Sequence, residues 1–179
     1  MNALLYFMLA CAVRDLRVRA GIDGREKGIH RSMLVNVSRF TAVQDQVADQ
    51  IHFELDQLRQ QVRLYGKLKP ADASARSRDI VRLEQLFKEE LGGCGFTWSD
   101  VLGTLHDSIS PIRVQPVNQR TGAASLDYSA IDSPPGVRVI AVGGNSLSRG
   151  LTLEGLGVSY FLRNSRAYDT LLQMGRWFG

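Results

Sequence analysis

Lysine is scarce in this 179-residue chain: only four of its 22 basic side chains are lysine, and none follows Lys88. Gly-Lys-Ser/Thr, the end of the loop with which P-loop enzymes hold nucleotide phosphates, occurs nowhere, and no Rossmann glycine fingerprint replaces it. Cysteine is nearly absent. Cys11 and Cys94 lie in no motif, which excludes a disulfide framework and a cysteine zinc site. Reduced, buried thiols are the expectation. The three histidines, His30, His52 and His106, have no zinc spacing, so structural or solvated roles are expected and no metal site. Long apolar runs are missing as well. The stretch Ala3 to Val13 falls short of the roughly 20 residues that span a bilayer. No basic segment precedes it, which argues against a signal peptide. The expectations are no membrane partner and a cytoplasmic location. There are no internal repeats and no low-complexity tracts.

The charge is therefore mostly arginine. Eighteen of the 22 basic side chains are arginine, and against 18 acidic ones the 22 leave a net charge of +4. From Pro134 onward Arg138, Arg149, Arg163, Arg166 and Arg176 face only Glu154 and Asp169. Arginine is the better fork for phosphate and carboxylate. A GC-rich genome gives the same bias, so charge alone supports only a weak polyanion reading. Carboxylates do not cluster as a metal-dependent nuclease requires. Asp45, Asp49 and Asp56 are spaced along a helix, with Asp45 and Asp49 on its solvated side. Asp127 and Asp132 have no adjacent lysine, and no PD-(D/E)xK pattern occurs.

Periodicity predicts the elements. Leu5, Leu9, Ala12 and Leu16 share one face of a core-packed helix over residues 3–20, which Gly21, Gly24 and Gly28 follow as a loop. Ser32 to Ser38 is a short apolar run suited to a buried parallel strand. Thr41 can cap a helix to about Tyr65, with Val43, Val47, Ile51, Leu55, Leu58 and Val62 as its stripe. Gly66 to Ala75, with Pro70, reads as a linker. Ile80, Leu83, Phe87 and Leu91 mark the next helix, which Gly92, Gly93 and Gly95 end. Thr97 or Ser99 caps a third, carrying Val101, Leu102 and Leu105. Trp98 reads as core. Ile112 to Asn118 alternates, and Pro116 makes it an edge strand. Ser133 to Gly136 is a break. Val137 to Val142 and Val158 to Leu162 are strands, and Ser165 to Met174 is a helix. The pattern is α/β with a mainly parallel sheet, a single domain over 1–179 with a helical insertion at about 66–108.

In open α/β sheets ligands gather beyond the carboxyl ends of the strands. Gly143, Gly144, Asn145 and Ser146 directly follow one strand, and Arg149-Gly150 comes soon after. Glycines allow close backbone approach or positive φ, and the polar side chains offer hydrogen bonds. The segment suits a phosphate or nucleic-acid cradle. It equally suits a tight turn whose glycines serve geometry alone. Gln173-Met174-Gly175-Arg176 ends the last helix. Arg176 is placed to stabilise charge on a transferring phosphoryl group, or simply to complement the helix dipole. Trp177 and Phe178 follow it and suit a partner surface.

Order and spacing add a resemblance. Arg149-Gly150 and Gly175-Arg176, separated by a strand and a helix, resemble motifs V and VI of the second RecA-like domain of superfamily two helicases. SMLVNVSR (Ser32 to Arg39) with Thr41 resembles motif IV. GGNSLSRGLTLEGL and SYFLRNSRAYDTLLQMGRWFG are similar to the Z-one (Z1) domain of helicase-related proteins. That family is described as endonucleases and occurs in bacterial restriction-modification and phage-defence settings. The resemblance covers essentially the whole chain, and the final 43 residues carry most of it.

The resemblance implies a RecA-like three-layer fold. It implies nucleic-acid contacts at Ser38, Arg39, Thr41, Gly143, Gly144, Asn145 and Ser146. It implies nucleotide contacts at Arg149, Gly150, Thr152 and Gly175, and catalytic roles for Arg176 and Gln173. Thr152 stands where motif V often has an acid, with Glu154 nearby. The implied cofactor is ATP with Mg²⁺ in a longer protein, bound weakly if at all by this chain. The implied partners are DNA, with RNA as the alternative, and an N-terminal RecA-like half carrying the Walker loop. A non-catalytic nucleic-acid-binding module is the second reading, and a nuclease component the third.

Overall fold

The structure is a computed structural model that describes residues 2–23, 30–117, 126, 128, 136–144 and 153–162. The chain divides into two compact units, Met1–Lys27 with Phe53–Pro111 and Gly28–His52 with Ile112–Gly179. The helical stretch expected at 66–108 lies within the first unit, which also takes in the N-terminal helix.

The first unit is all helical among its described residues. Its helices are α1 (Asn2–Arg19), the later turns of α2 (Thr41–Tyr65), α3 (Pro70–Arg76), α4 (Arg78–Glu90) and α5 (Trp98–Ile109). α1 is buried on more than the one expected face: Leu4, Leu5, Phe7, Met8, Leu9, Cys11, Ala12 and Val13 are all inside. It packs against α5 and α4. Among the described residues no helix is long and apolar enough to cross a membrane. Ser108 Oγ donates to Asp15 at 2.6 Å and ties α5 to α1. Arg59 donates to the carbonyls of Ile109 and Ser110, each at 3.2 Å. These are carbonyls at the helix end that lack intrahelical donors. Of the two candidate caps, Thr97 is the one used: it forms a reciprocal capping box with Asp100. Trp98 is buried, with its ring 5.7 Å from that of Phe87. Cys11 is buried and Cys94 half-buried, and both are free thiols.

The expected linker at Gly66 to Ala75 is in part a helix. Pro70 opens α3. Proline breaks a helix interior but is well suited to its first position, where its missing N–H would have no helical acceptor. The α2 stripe also needs correction at one end. Leu55, Leu58 and Val62 are buried, whereas Val43 is 38% exposed.

Among its described residues the second unit holds a four-stranded, all-parallel sheet, so the chain is α/β. Its strands are β1 (Arg31–Asn36), β2 (Arg113–Val117), β3 (Arg138–Gly143) and β4 (Leu156–Phe161), in the order β2-β3-β1-β4. β1 and β3 are buried along their whole length, as central strands with both faces covered should be. β2, with Pro116, lies at an edge as its proline requires. Leu34, Val117, Ala141 and Leu153 form the core on one sheet face. β4 pairs with β1 through a register shift that leaves Gly157 as the extra residue. Arg138, counted above among the arginines suited to a polyanion, is instead a buried strand residue beside Arg31. The two are register partners, each 4% exposed.

The amino end of the sheet is tied by a closed polar network. His30 is buried, and its Nδ1 accepts the Val137 N–H at 3.1 Å. Nδ1 therefore carries no proton there, and the neutral ring presents Nε2–H toward Glu154, 3.7 Å away. Ser32 Oγ donates to the Glu154 carbonyl at 2.7 Å, so it must accept from Tyr128 Oη at 2.8 Å. Gly155 makes this closure possible. Its φ is +66°, and a Cβ there would collide with the His30 carbonyl.

Gly155→Ala combines a left-handed backbone with an overlap against main chain. It should cost about 2–4 kcal/mol, read as a lower urea midpoint at unchanged m-value. Burial, with the Glu154 carboxylate adding to it, raises the Tyr128 phenol above its ordinary 10.0, against the opposing pull of Ser32. The unfolded phenol then ionises before the folded one. This contribution to stability is intact below 10.0 and is lost as pH rises from there through the folded value. Wild type should therefore lose stability on the alkaline side more steeply than Tyr128→Phe. Parallel alkaline limbs in urea melts would refute this.

Candidate nucleic-acid interface

Two turns meet at the carboxyl end of the central strands. β1 and β3 stay in register to their last residues, Asn36 and Gly143. Val37 N–H then donates to the Gly143 carbonyl at 2.9 Å, so the chains separate only after this bond. Gly144 follows, and a Cβ there would overlap the Ser38 carbonyl oxygen and lie 2.9 Å from Gln44 Nε2. Glycine is required here for close approach of backbone to backbone. Positive φ, the other use expected of it, belongs to Gly21, Gly95, Gly136 and Gly155.

Gln44 fastens the junction. Its Nε2 donates to the Ser38 carbonyl at 2.8 Å. Thr41-x-x-Gln44 has the spacing of a capping box, but Thr41 is the first residue of α2. The carbonyl that receives the first helical bonds is that of Phe40, from Val43 at 3.1 Å and Gln44 at 3.2 Å. The expected Thr41 cap is thus displaced by one residue. Ser38 Oγ accepts the Phe40 N–H at 3.2 Å. Its hydroxyl proton remains to donate. Arg39 is exposed, with its guanidinium 5.0 Å from the centre of the Phe40 ring. Phe40 itself is 59% exposed. Ser38 and Thr41 are half-buried, and Gly143 and Gly144 are buried.

The junction therefore offers an exposed cation, an exposed ring, a hydroxyl and the start of a long helix. The first amides of such a helix lack intrahelical acceptors and favour anions. A match to the Z1 domain model runs over residues 1–179. The chain belongs to the Z1 domain family. Comparisons with curated proteins and with solved structures gave no match.

Of the residues proposed for this Z1 domain from sequence, the structure brings Ser38, Arg39 and Thr41 to the same junction as Gly143 and Gly144. Asn145, Ser146, Arg149, Gly150, Thr152, Gln173, Gly175 and Arg176 lie outside the described residues, as does the helix expected over Ser165 to Met174. Among the described residues no group of three His, Cys, Asp or Glu side chains is placed to hold a metal ion. Asp56 is paired with Arg59 at 2.9 Å.

Sequence reasoning missed two residues here. Asn36 ends β1 and is 1% exposed, yet among the described residues neither its Nδ2 nor its Oδ1 has a hydrogen-bond partner. Gln44 is 2% exposed, and its Oε1 is likewise unpaired. A polar residue closing an otherwise apolar run was the only available signal for Asn36.

Proposed function

We propose that this Z1 domain is the second RecA-like half of a nucleic-acid-dependent ATPase of restriction-modification or phage-defence type. The observation that carries the reading is the junction at the carboxyl ends of β1 and β3. The Ser38 turn and the Gly143-Gly144 turn were read as separate helicase-like motifs. They lie 106 positions apart in sequence (144 less 38), yet their backbones touch. In this reading Arg39 and the first turn of α2 hold nucleic-acid phosphates. Ser38 and Thr41 add hydrogen bonds, and the glycine turn links this contact to the nucleotide side.

The nucleotide itself fits this chain poorly. The sequence has no Gly-Lys-Ser/Thr loop, and the described residues provide no carboxylate cluster for Mg²⁺. ATP and Mg²⁺ are therefore assigned to a first RecA-like half. What this chain adds is the set Arg149, Gly150, Thr152, Gln173, Gly175 and Arg176. Arg176 is the group that meets phosphoryl charge.

Two measurements test the proposal. The 179-residue chain alone should show no ATP turnover. In a protein that also carries the Walker loop, Arg176→Ala should lower kcat by roughly 10³-fold or more. Hydrolysis that is absent or unaffected, with DNA binding retained, would instead identify a non-catalytic binding module. Arg39→Ala should weaken DNA binding equally across sequences and reduce the slope of log affinity against log salt by about 1. An unchanged slope would remove Arg39 from the interface.

A further inference from the structure

We infer that Asn36 is a nucleobase-reading residue whose buried carboxamide is completed by a base edge brought to the carboxyl end of β1. This rests on the nucleic-acid reading above and goes beyond it, because that reading uses only backbone-phosphate contacts. Asn36 is 1% exposed, and both its donor and its acceptor are unpaired among the described residues. Buried side-chain polar groups in folded proteins are overwhelmingly hydrogen-bonded, and an unmade bond of this kind is costly. Since both atoms lack partners, the assignment of nitrogen and oxygen on the carboxamide does not affect the point. The Oε1 of Gln44, fastened to the same junction through its Nε2, adds a second unpaired acceptor. The Gln44 orientation is fixed, because the Ser38 carbonyl can only accept.

The chemistry of the missing partner follows from what is unpaired. Asn36 needs a donor and an acceptor side by side, and Gln44 needs a donor. A phosphate presents only acceptors and would leave both carboxamide oxygens unmet. A trans peptide unit points its N–H and C=O in opposite directions, so one unit cannot satisfy a single carboxamide. A nucleobase edge places donor and acceptor next to each other, which is why Asn and Gln read adenine in bidentate fashion. Phe161 supports the same class. It is the register partner of Asn36 on β4, so both side chains leave the same sheet face. Its ring is 37% exposed, and Leu162 beyond it 58%. An aromatic ring beside a carboxamide supplies stacking next to edge recognition. The Asn36 carboxamide is closed from solvent, so a base reaches it only if neighbouring side chains move. Phe161, 37% exposed, is the neighbour at the surface that would have to move.

The test uses Asn36→Leu, which keeps the approximate volume and removes the unmet polar atoms. Thermal melts are read beside fluorescence-anisotropy titrations with single-stranded oligo(dA), oligo(dC) and oligo(dT). Adenosine is a separate arm that distinguishes a free nucleoside from a base within a strand. The variant should melt a few degrees higher, on the order of 2–4 °C per kcal/mol for a chain of this length. It should bind at least one of these probes about ten- to a hundredfold more weakly. In wild type, the Asn36 side-chain amide resonances should shift when that probe is added, a readout independent of how the variant folds. Equal binding by variant and wild type, or unshifted resonances with a bound oligonucleotide, overturns the inference and leaves the nucleic-acid reading standing. A variant that melts lower, with wild-type resonances unmoved, makes Asn36 structural. If neither oligonucleotides nor adenosine bind wild type, the nucleic-acid reading and this inference both fall. Resonances that shift with a Gly-Ser peptide and not with nucleobases also overturn it, in favour of a backbone-amide ligand.

Discussion

The junction in the second unit depends on one backbone-on-backbone contact, Gly144 against the Ser38 carbonyl. Parallel pairing holds β1 and β3 in register as far as Asn36 and Gly143, and the Val37 amide extends it by one bond. The two chains then turn away side by side in a space too narrow for a Cβ. Gln44 closes that space by donating to the same carbonyl. Register is what keeps this arrangement, since a slip of one residue would exchange the two faces of the strand. Asn36 would then leave the face it shares with Phe161. Gly144 would no longer lie against Ser38.

The same device appears at the other end of β1, with a different outcome. Gly155 packs against the His30 carbonyl as tightly as Gly144 packs against Ser38. Around Gly155 three hydrogen bonds join the segments: Tyr128 to Ser32, Ser32 to Glu154, Val137 to His30. Around Gly144 two carboxamides are left incomplete. A satisfied network stabilises the state in which it is seen, whereas an incomplete one is stabilised by whatever completes it. The hydrogen bonds around Gly155 hold the fold together at the amino end of β1. The incomplete carboxamides lie at the carboxyl end, where sites in open α/β sheets are generally placed.

β1 and β3 were legible because both-face burial writes itself as short apolar runs, and Pro116 marked its own strand as an edge. Helix α5 and its Thr97 cap were legible from local chemistry. What failed did so for local reasons too. Pro70 reads as a breaker unless its position in the helix is known, and that position is a property of the fold. Val43 continues the α2 stripe in sequence, but it is exposed where Leu55 is buried. Arg138 looks like one more cation in an arginine-rich tail, whereas its place in β3 puts it inside. In the candidate site, the glycine turn and Ser38 could be picked out singly, but their contact could not. Asn36 showed only as a polar residue closing an apolar run, because lacking a partner is a relation among distant residues.

The chemistry of the junction also divides a ligand into parts. Arg39 and the first amides of α2 offer positive charge and donors, which suit phosphate. Asn36 and Gln44 offer unpaired acceptors, which phosphate cannot use and a base edge can. A polymer that carries phosphate and base on each residue answers both demands at one junction, whereas an inorganic anion answers only the first. Membership of the Z1 family does not decide between these ligands, and neither does the parallel sheet, since one fold carries many functions. The unpaired atoms do discriminate, because each states the polarity of the group it lacks. The proposal of nucleic acid at this end of the sheet is thus supported most by the pairing of an exposed arginine with a buried amide left without a partner among the described residues.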